Sequence, residues 1–159
     1  LISKVENKQF IKKDIISITD IVEGVKEELE HRLLMMRLSL IIDIKEDFTF
    51  EGNQSLFHTL VMNIINNAIK YNVNDGMITI ATERTSSGFL LNITDTGIGM
   101  GEAMLNNAFN RFEKFNSTQT DSHGLGLAIV KSIALFHNIE VSISSQKNTG
   151  TNLSLFFKA

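Results

Sequence analysis

The chain contains no cysteine, which excludes disulfides and thiolate metal sites together. Its few histidines, His31, His58, His123 and His137, show no metal-ligand spacing. Basic residues do not exceed acidic ones. Lys and Arg number 15 against 18 Asp and Glu, a formal charge of -3, so the chain lacks the basic field with which nucleic-acid binders attract phosphates. No nucleic-acid partner is expected. The longest apolar run falls far short of a membrane span, and no signal-peptide pattern opens the chain. No membrane contact by this domain is expected, and a reducing, cytoplasmic setting fits. Proline, repeats and low-complexity segments are all missing. What is present, 159 residues with 43% hydrophobic and 21% charged, suits one globular domain with one core.

The hydrophobic periods assign the elements. "FIKKDI", Phe10 to Ile15, alternates like a short strand, and Ser17 with Asp20 resembles a helix start with an acidic first turn. Ile18, Ile21, Val22, Val25, Leu29, Leu33 and Met36 then follow the 3.6-residue period as the apolar stripe of a long helix. Strands are predicted at Leu38 to Ile44 and at "FTF", and a second helix from Ser55 to Asn72. Met77 to Glu83 and Phe89 to Asp95 read as paired strands around "TSSG". Thr96 to His123 has no clear period and is read as a lid, since a connection that long in a compact domain is usually functional. A third helix, Gly124 to His137, and a closing hairpin of Glu140 to Ser145 with Asn152 to Phe157 complete the chain. The order predicts an α/β fold: a two-layer α/β sandwich with a mixed sheet and helices on one face.

"NIINNAIKYN", Asn63 to Asn72, combines a helical apolar face with Asn63, Asn66, Asn67 and Asn72, although asparagine competes with the backbone for hydrogen bonds and belongs at caps and turns. Asn63, Asn67 and Lys70 stand at helical spacing, one stripe beside Leu56, Leu60 and Ile64. Amides there either bond to neighbouring loops and water, or meet a hard cation and its accompanying phosphates, Mg²⁺ being an ion that takes few protein oxygens. "DTGIGM" sets the Asp95 carboxylate before Gly97, Ile98 and Gly99, either a tight turn or a close backbone approach to a flat ligand. "HGLGLAIVKSIALF" sets Gly124 and Gly126 at a helix start, either for close packing or as an anion site. "AFNRFEKFNS" spaces Phe109, Phe112 and Phe115 as core, with Arg111 and Lys114 interleaved.

Taken in order, "NIINNAIKY", "DTGIGM", "AFNRFEKF", "HGLGLAIVKSI" and "GTNLSLFF" resemble the N, G1, F, G2 and final glycine boxes of the catalytic ATP-binding domain of bacterial sensor histidine kinases. That family shares a superfamily with gyrase B and MutL. The match runs from about Phe10 to the end. The resemblance implies the Bergerat fold over residues 9–159, an ATP lid at about 96–123, and residues 1–8 as the tail of an upstream dimerisation helix or linker. It implies ATP and Mg²⁺ as ligands. Asn67 would bind the metal with Asn63 supporting it, and Lys70 and Tyr71 would reach the phosphates. Asp95 would accept the adenine amino group, with Gly97, Ile98 and Gly99 beside the base and Thr151 reaching it through water. Gly124, Leu125, Gly126 and Leu127 would offer backbone N–H groups to the phosphates. Lys114 stands where many relatives carry arginine, giving a point charge in place of a bidentate fork, and Ser122-His123-Gly124 lacks the first glycine of the relatives' Gly-x-Gly-Leu-Gly-Leu.

By the same resemblance, members that hydrolyse ATP carry a glutamate base at the position of Asn63, and an amide cannot take a proton. Transfer to an imidazole needs positioning and charge neutralisation, here by Mg²⁺, Lys70 and Lys114, more than a base. The expected function is therefore γ-phosphoryl transfer to a histidine on a dimerisation domain of the same parent protein, with a response regulator receiver domain as an indirect partner in two-component signalling. His31 lies opposite the apolar stripe, but "EHRLLM" lacks the acid and proline that usually follow an acceptor histidine, so the acceptor is expected upstream and the domain alone should not autophosphorylate. An anchor in the inner membrane is one arrangement open to the parent protein, with this domain on the cytoplasmic side. Two alternatives are an anti-sigma-factor-type serine kinase and a nucleotide-binding regulatory module without turnover.

Overall fold

The computed structural model describes residues 10–107 and 122–159, the side chains of 122–126 excepted. Phe109, Arg111, Phe112, Lys114 and Phe115, and the tail at residues 1–8, lie outside the described residues. In chain order the elements are β1 (Asp14–Ser17), α1 (Ile18–Met35), β2 (Ser39–Asp43), β3 (Thr49–Gly52), α2 (Gln54–Lys70), β4 (Met77–Thr85), β5 (Gly88–Asp95), the short α3 (Glu102–Asn106), α4 (Ser122–Phe136), β6 (Glu140–Gln146) and β7 (Gly150–Lys158). A five-stranded sheet runs β2-β4-β5-β7-β6, and β1 pairs with β3 in a separate ribbon. The β2–β4 pair is parallel and the other neighbours are antiparallel, so the sheet is mixed.

One face of the sheet is apolar. Ile78, Ile80, Phe89, Leu91, Ile93, Leu153, Leu155 and Phe157 are buried there and form one cluster with Ile18, Val22 and Val25 of α1, Phe57, Leu60, Ile64 and Ile65 of α2, and Val130 and Ile133 of α4. The alternate residues Asn92, Thr94, Asn152 and Ser154 carry the polar outer face, joined by Thr94 Oγ1 to Asn152 Oδ1 at 2.6 Å. Helices therefore cover one face of the sheet, the two-layer arrangement that the sequence predicts. Each large side chain taken out of water contributes roughly 1.5 to 3 kcal/mol, which makes this single layer boundary the main stabilising feature.

Three local expectations are corrected. The first strand is Asp14–Ser17, not Phe10 to Ile15, because its register against β3, from Asp14 opposite Gly52 to Ser17 opposite Thr49, sets its position. Ser17 then ends the strand and caps α1, its Oγ accepting from the N–H of Asp20 at 3.2 Å while donating to Asp47 at 2.6 Å. Met36, placed on the apolar stripe by period alone, is the residue after α1 and is exposed. Within the segment read as lid, Glu102–Asn106 forms a short helix and Ser122 already belongs to α4. His31 is exposed on α1, as its position opposite the stripe implies. Among the described residues no helix is long and apolar enough to cross a membrane.

Candidate functional site

The asparagines of α2 and its end part into different roles. Asn53 caps the helix, its Oδ1 accepting from the N–H of Leu56 at 3.0 Å. Asn63 turns its Nδ2 back to the carbonyl of Thr59 at 2.8 Å. Asn66 Oδ1 accepts from the Arg32 guanidinium of α1. Asn72 lies past the helix end, contrary to the predicted boundary, and its Oδ1 takes the N–H of Val73 at 2.9 Å and the hydroxyl of Thr96 at 3.1 Å. Asn67 alone does not serve the fold in this way, for its Nδ2 is buried with no hydrogen-bond partner. Such a group costs about 1 to 3 kcal/mol, so something other than apo stability holds it there. The amide can be turned by a half rotation, so that position can present an oxygen or a nitrogen to a ligand.

Asn67 opens onto a cleft between α2 and the sheet. Its open mouth and the solvent in it included, the cleft encloses about 640 Å³ of empty space. Ile64, Ala68, Ile93, Ile143 and Leu153 give it an apolar floor, while Met100, Met104 and Ile98 stand around it. Ile98 and Met104 are half exposed.

A polar row crosses the end of that floor. Asp95 of β5 pairs with Thr151 of β7, which pairs in turn with Ser145 of β6, so the three side chains share one face of the sheet. Asp95 Oδ1 accepts the N–H of Gly97 at 2.8 Å and of Thr151 at 3.3 Å. Oδ2 receives no hydrogen bond among the described residues, and Asp95 lines the cleft. Burial pushes its carboxyl above the ordinary value, while the two backbone N–H groups pull it back down. The result is an acceptor held rigidly at the inner end of an apolar slot. Ser145 Oγ accepts the N–H of Met100 at 2.8 Å and lies 3.0 Å from the carbonyl of Gly150 and 2.7 Å from Thr151 Oγ1.

The segment after Asp95 is strapped in from both sides. Ile98 donates its N–H to the carbonyl of Tyr71 at 2.9 Å and accepts from the N–H of Asn148 at 2.7 Å. Gly99 adopts φ +68°, and a Cβ there would collide with the carbonyl of Gln146. Gly150 adopts φ +134°, and a Cβ there would overlap the carbonyl of Asp95. These two glycines thus answer to backbone packed against backbone and to left-handed geometry, a cause distinct from the ligand approach suggested by the motif.

Of the residues singled out by sequence, the cleft brings together Asn67, Tyr71, Asp95, Ile98, Gly99, Leu127 and Thr151. Gly97 is buried behind it, its missing side chain facing the Tyr71 carbonyl. Asn63 does not line the cleft, and Lys70 is exposed at the end of α2 with Nζ 5.1 Å from the centre of the Tyr71 ring. Gly124, Leu125 and Gly126 lie in the first turns of α4, whose early N–H groups have no helical acceptor; Lys114 is outside the described residues. Ser145, Met100 and Met104 were not singled out. No sequence signal marks Ser145, a serine in a strand of alternating polar residues.

An adenine nucleotide fits this donor set: an apolar slot for a flat base, a carboxylate oxygen left over at its inner end, and a buried amide without a partner in the wall. Among the described residues no group of three or more His, Asp or Glu side chains could hold a metal. Mg²⁺ bound with phosphates takes few protein oxygens, which suits a wall that holds one unpartnered amide, Asn67.

Residues 52–159 match the family model described as histidine kinase-, DNA gyrase B-, and HSP90-like ATPase. Over 159 residues the chain is 31% identical to the heme sensor protein HssS of Staphylococcus saprophyticus, covering 99% of this chain and 34% of that protein. It is 32% identical over 122 residues to the sensor-like histidine kinase SenX3 of Mycolicibacterium smegmatis, covering 75% of this chain and 32% of that protein. The chain thus spans about a third of the length of these curated relatives. Among solved structures, the Acinetobacter baumannii histidine kinase AdeS superposes with a TM-score of 0.79 at 24% identity, over 99% of this chain and 73% of that one. The mycobacterial sensor histidine kinase MprB gives 0.78 at 22%, over 92% and 97%. These likenesses establish the fold.

Proposed function

This chain belongs to the family of histidine kinase-, DNA gyrase B- and HSP90-like ATPases, and from that premise we propose that it is the ATP-binding catalytic domain of a sensor histidine kinase. It binds Mg-ATP and passes the γ-phosphoryl to a histidine on a dimerisation domain of the same parent protein. A response regulator receiver domain is then the downstream partner.

The observation that carries this reading is Asp95, whose Oδ1 is occupied by two backbone N–H groups while Oδ2 is left over in an apolar cleft. That oxygen takes the adenine amino group, Thr151 reaches the base through water, and Ile98 and Gly99 flank it. Asn67 would supply an oxygen to Mg²⁺, a role consistent with an amide that the fold leaves unpartnered, with Asn63 supporting it from one turn earlier. Bound Mg²⁺ neutralises phosphate charge. Lys70, Tyr71 and Lys114, with the backbone of Gly124, Leu125, Gly126 and Leu127, hold the phosphates in place. Asn63 spends its Nδ2 on the Thr59 carbonyl and cannot act as a base toward water, which favours transfer over hydrolysis.

Calorimetry with ATP and GTP, with and without Mg²⁺, tests the binding half of the reading. Mixing the domain with a separately prepared dimerisation domain of the parent and radiolabelled ATP tests the transfer. Acid-labile, base-stable label on the dimerisation domain is expected. Binding without any label transfer would make the domain a regulatory nucleotide-binding module instead.

A further inference from the structure

The hydrogens of the polar row can be assigned by counting. A serine hydroxyl has one hydrogen and two lone pairs. The Met100 N–H can only donate, so it fills one lone pair of Ser145 Oγ at 2.8 Å. The Gly150 carbonyl can only accept, so it takes the single Ser145 hydrogen at 3.0 Å. One lone pair remains, and Thr151 Oγ1 stands 2.7 Å away. All three contacts are satisfied together only if Thr151 donates its own hydrogen to Ser145. The Thr151 hydroxyl then has no hydrogen left for the cleft that it lines. Asp95 Oδ2 beside it is likewise an acceptor. Among the described residues, the Asp95–Thr151 pair at the inner end of the cleft turns acceptors toward it and no hydroxyl hydrogen.

We infer that Ser145 is a specificity-determining positioning residue, which by drawing the Thr151 hydrogen away from the cleft keeps the base-reading row free of donors and so rejects 6-keto purines. The inference rests on the proposed placement of adenine at Asp95. An adenine presents its amino hydrogen to Asp95, and its neighbouring ring nitrogen meets Thr151 through a water that donates to both. A purine with a carbonyl at that carbon turns lone pairs toward the Asp95 carboxylate; the hydrogen on its neighbouring ring nitrogen still finds an acceptor through the water, but the keto oxygen meets no donor in the row, because the Thr151 hydrogen is committed to Ser145. A site whose polar groups cannot match a ligand discriminates strongly against it. Ser145 does not touch the base in this arrangement and acts through Thr151.

The test compares the affinities of Mg-ATP and Mg-ITP, since inosine differs from adenosine at this edge and lacks the second amino group of guanosine. Wild type should prefer ATP strongly. Ser145→Ala frees the Thr151 hydrogen to donate to the keto oxygen, so the ATP to ITP ratio should fall about five- to tenfold, the effect of one hydrogen bond, mainly through tighter ITP binding. Ser145→Cys keeps the volume with a weak donor and acceptor and should act in the same direction, which covers the case in which the alanine variant unfolds. The decisive variant is Ser145→Ala combined with Thr151→Val. It has no hydroxyl to donate, so the wild-type ratio should return. A merely structural serine would weaken both nucleotides alike and leave the ratio unchanged in Ser145→Ala. A general loosening of the cleft would leave the ratio relaxed in the double variant. Either result overturns the inference while the adenine placement stands. Equal affinity of wild type for ATP and ITP would overturn that placement, and this inference with it.

Discussion

Asp95→Asn replaces one carboxylate oxygen by an NH₂ group and leaves the other oxygen in place. Because both backbone N–H groups, from Gly97 at 2.8 Å and Thr151 at 3.3 Å, converge on Oδ1, the amide keeps them by placing its oxygen there. Its nitrogen is then obliged to face the cleft. Two consequences follow with opposite signs. Stability should hold or rise at neutral pH, since burial already raises the carboxyl above its ordinary value and the ionised form is the costly one. The sign is that of a group whose folded pKa exceeds its unfolded value near 3.8: its contribution is complete below that value and is lost as pH rises through the folded pKa. The amide has no such loss, so the melting temperature of the variant should gain on wild type as pH rises from about 4 toward 7. Affinity should move the other way. A hydrogen bond to a charged acceptor contributes about 1.5 to 3 kcal/mol, a factor of roughly ten to 150 in binding, and in the variant two donors meet. Thermal melts across that pH range, paired with calorimetry on ATP and GTP, read both effects from one preparation. An unchanged preference for ATP would remove Asp95 from base recognition. A fall in apo melting temperature alongside the lost affinity would mean that the two N–H bonds had not survived, and the reasoning from Oδ1 would fail.

Asn67→Ala removes an unpartnered buried amide and introduces a better helix former, so the apo melting temperature should hold or rise while the Mg²⁺ dependence of ATP binding disappears; unchanged Mg²⁺ dependence in calorimetry would remove the metal role. His137 is buried with Nδ1 donating to the Ile133 carbonyl at 2.9 Å and Nε2 accepting the Asn53 N–H at 3.0 Å, and burial depresses its pKa below the ordinary 6.5. Its contribution to stability is therefore complete above about 6.5 and is lost as pH falls through the folded value, a slope that should vanish in His137→Gln when melts are followed from pH 8 to pH 5. Gly150→Ala places a Cβ against the Asp95 carbonyl at φ +134° and should cost at least about 2 kcal/mol, seen as a lower denaturation midpoint; a midpoint equal to wild type would show that the hairpin can shift to make room.

The sequence by itself determined the layer plan and one wall of the site. Ile18, Val22, Val25 and Leu29 of α1, and Leu56, Leu60 and Ile64 of α2, repeat at helical spacing, and that spacing alone is enough to aim a face at a core. Asn67 was legible for the same reason, since a helix carries side chains three and four residues apart to one side whatever surrounds it. Strand ends were not legible in this way. The pattern along "FIKKDIIS" sets no sharp strand boundary, and only pairing with Thr49–Gly52 selects Asp14–Ser17, because a strand's position is a property of two segments. The polar row shows the same limit within the site. Asp95 could be found from its motif, but its two oxygens became different only when Gly97 and Thr151 came to one of them. Ser145, more than forty residues beyond Asp95 and unmarked by its neighbours, joined the row through the β5–β7–β6 register. Hydrogen bonds across strands depend on that register, and register is decided by how whole strands bury their apolar faces against the helices, which no local pattern records.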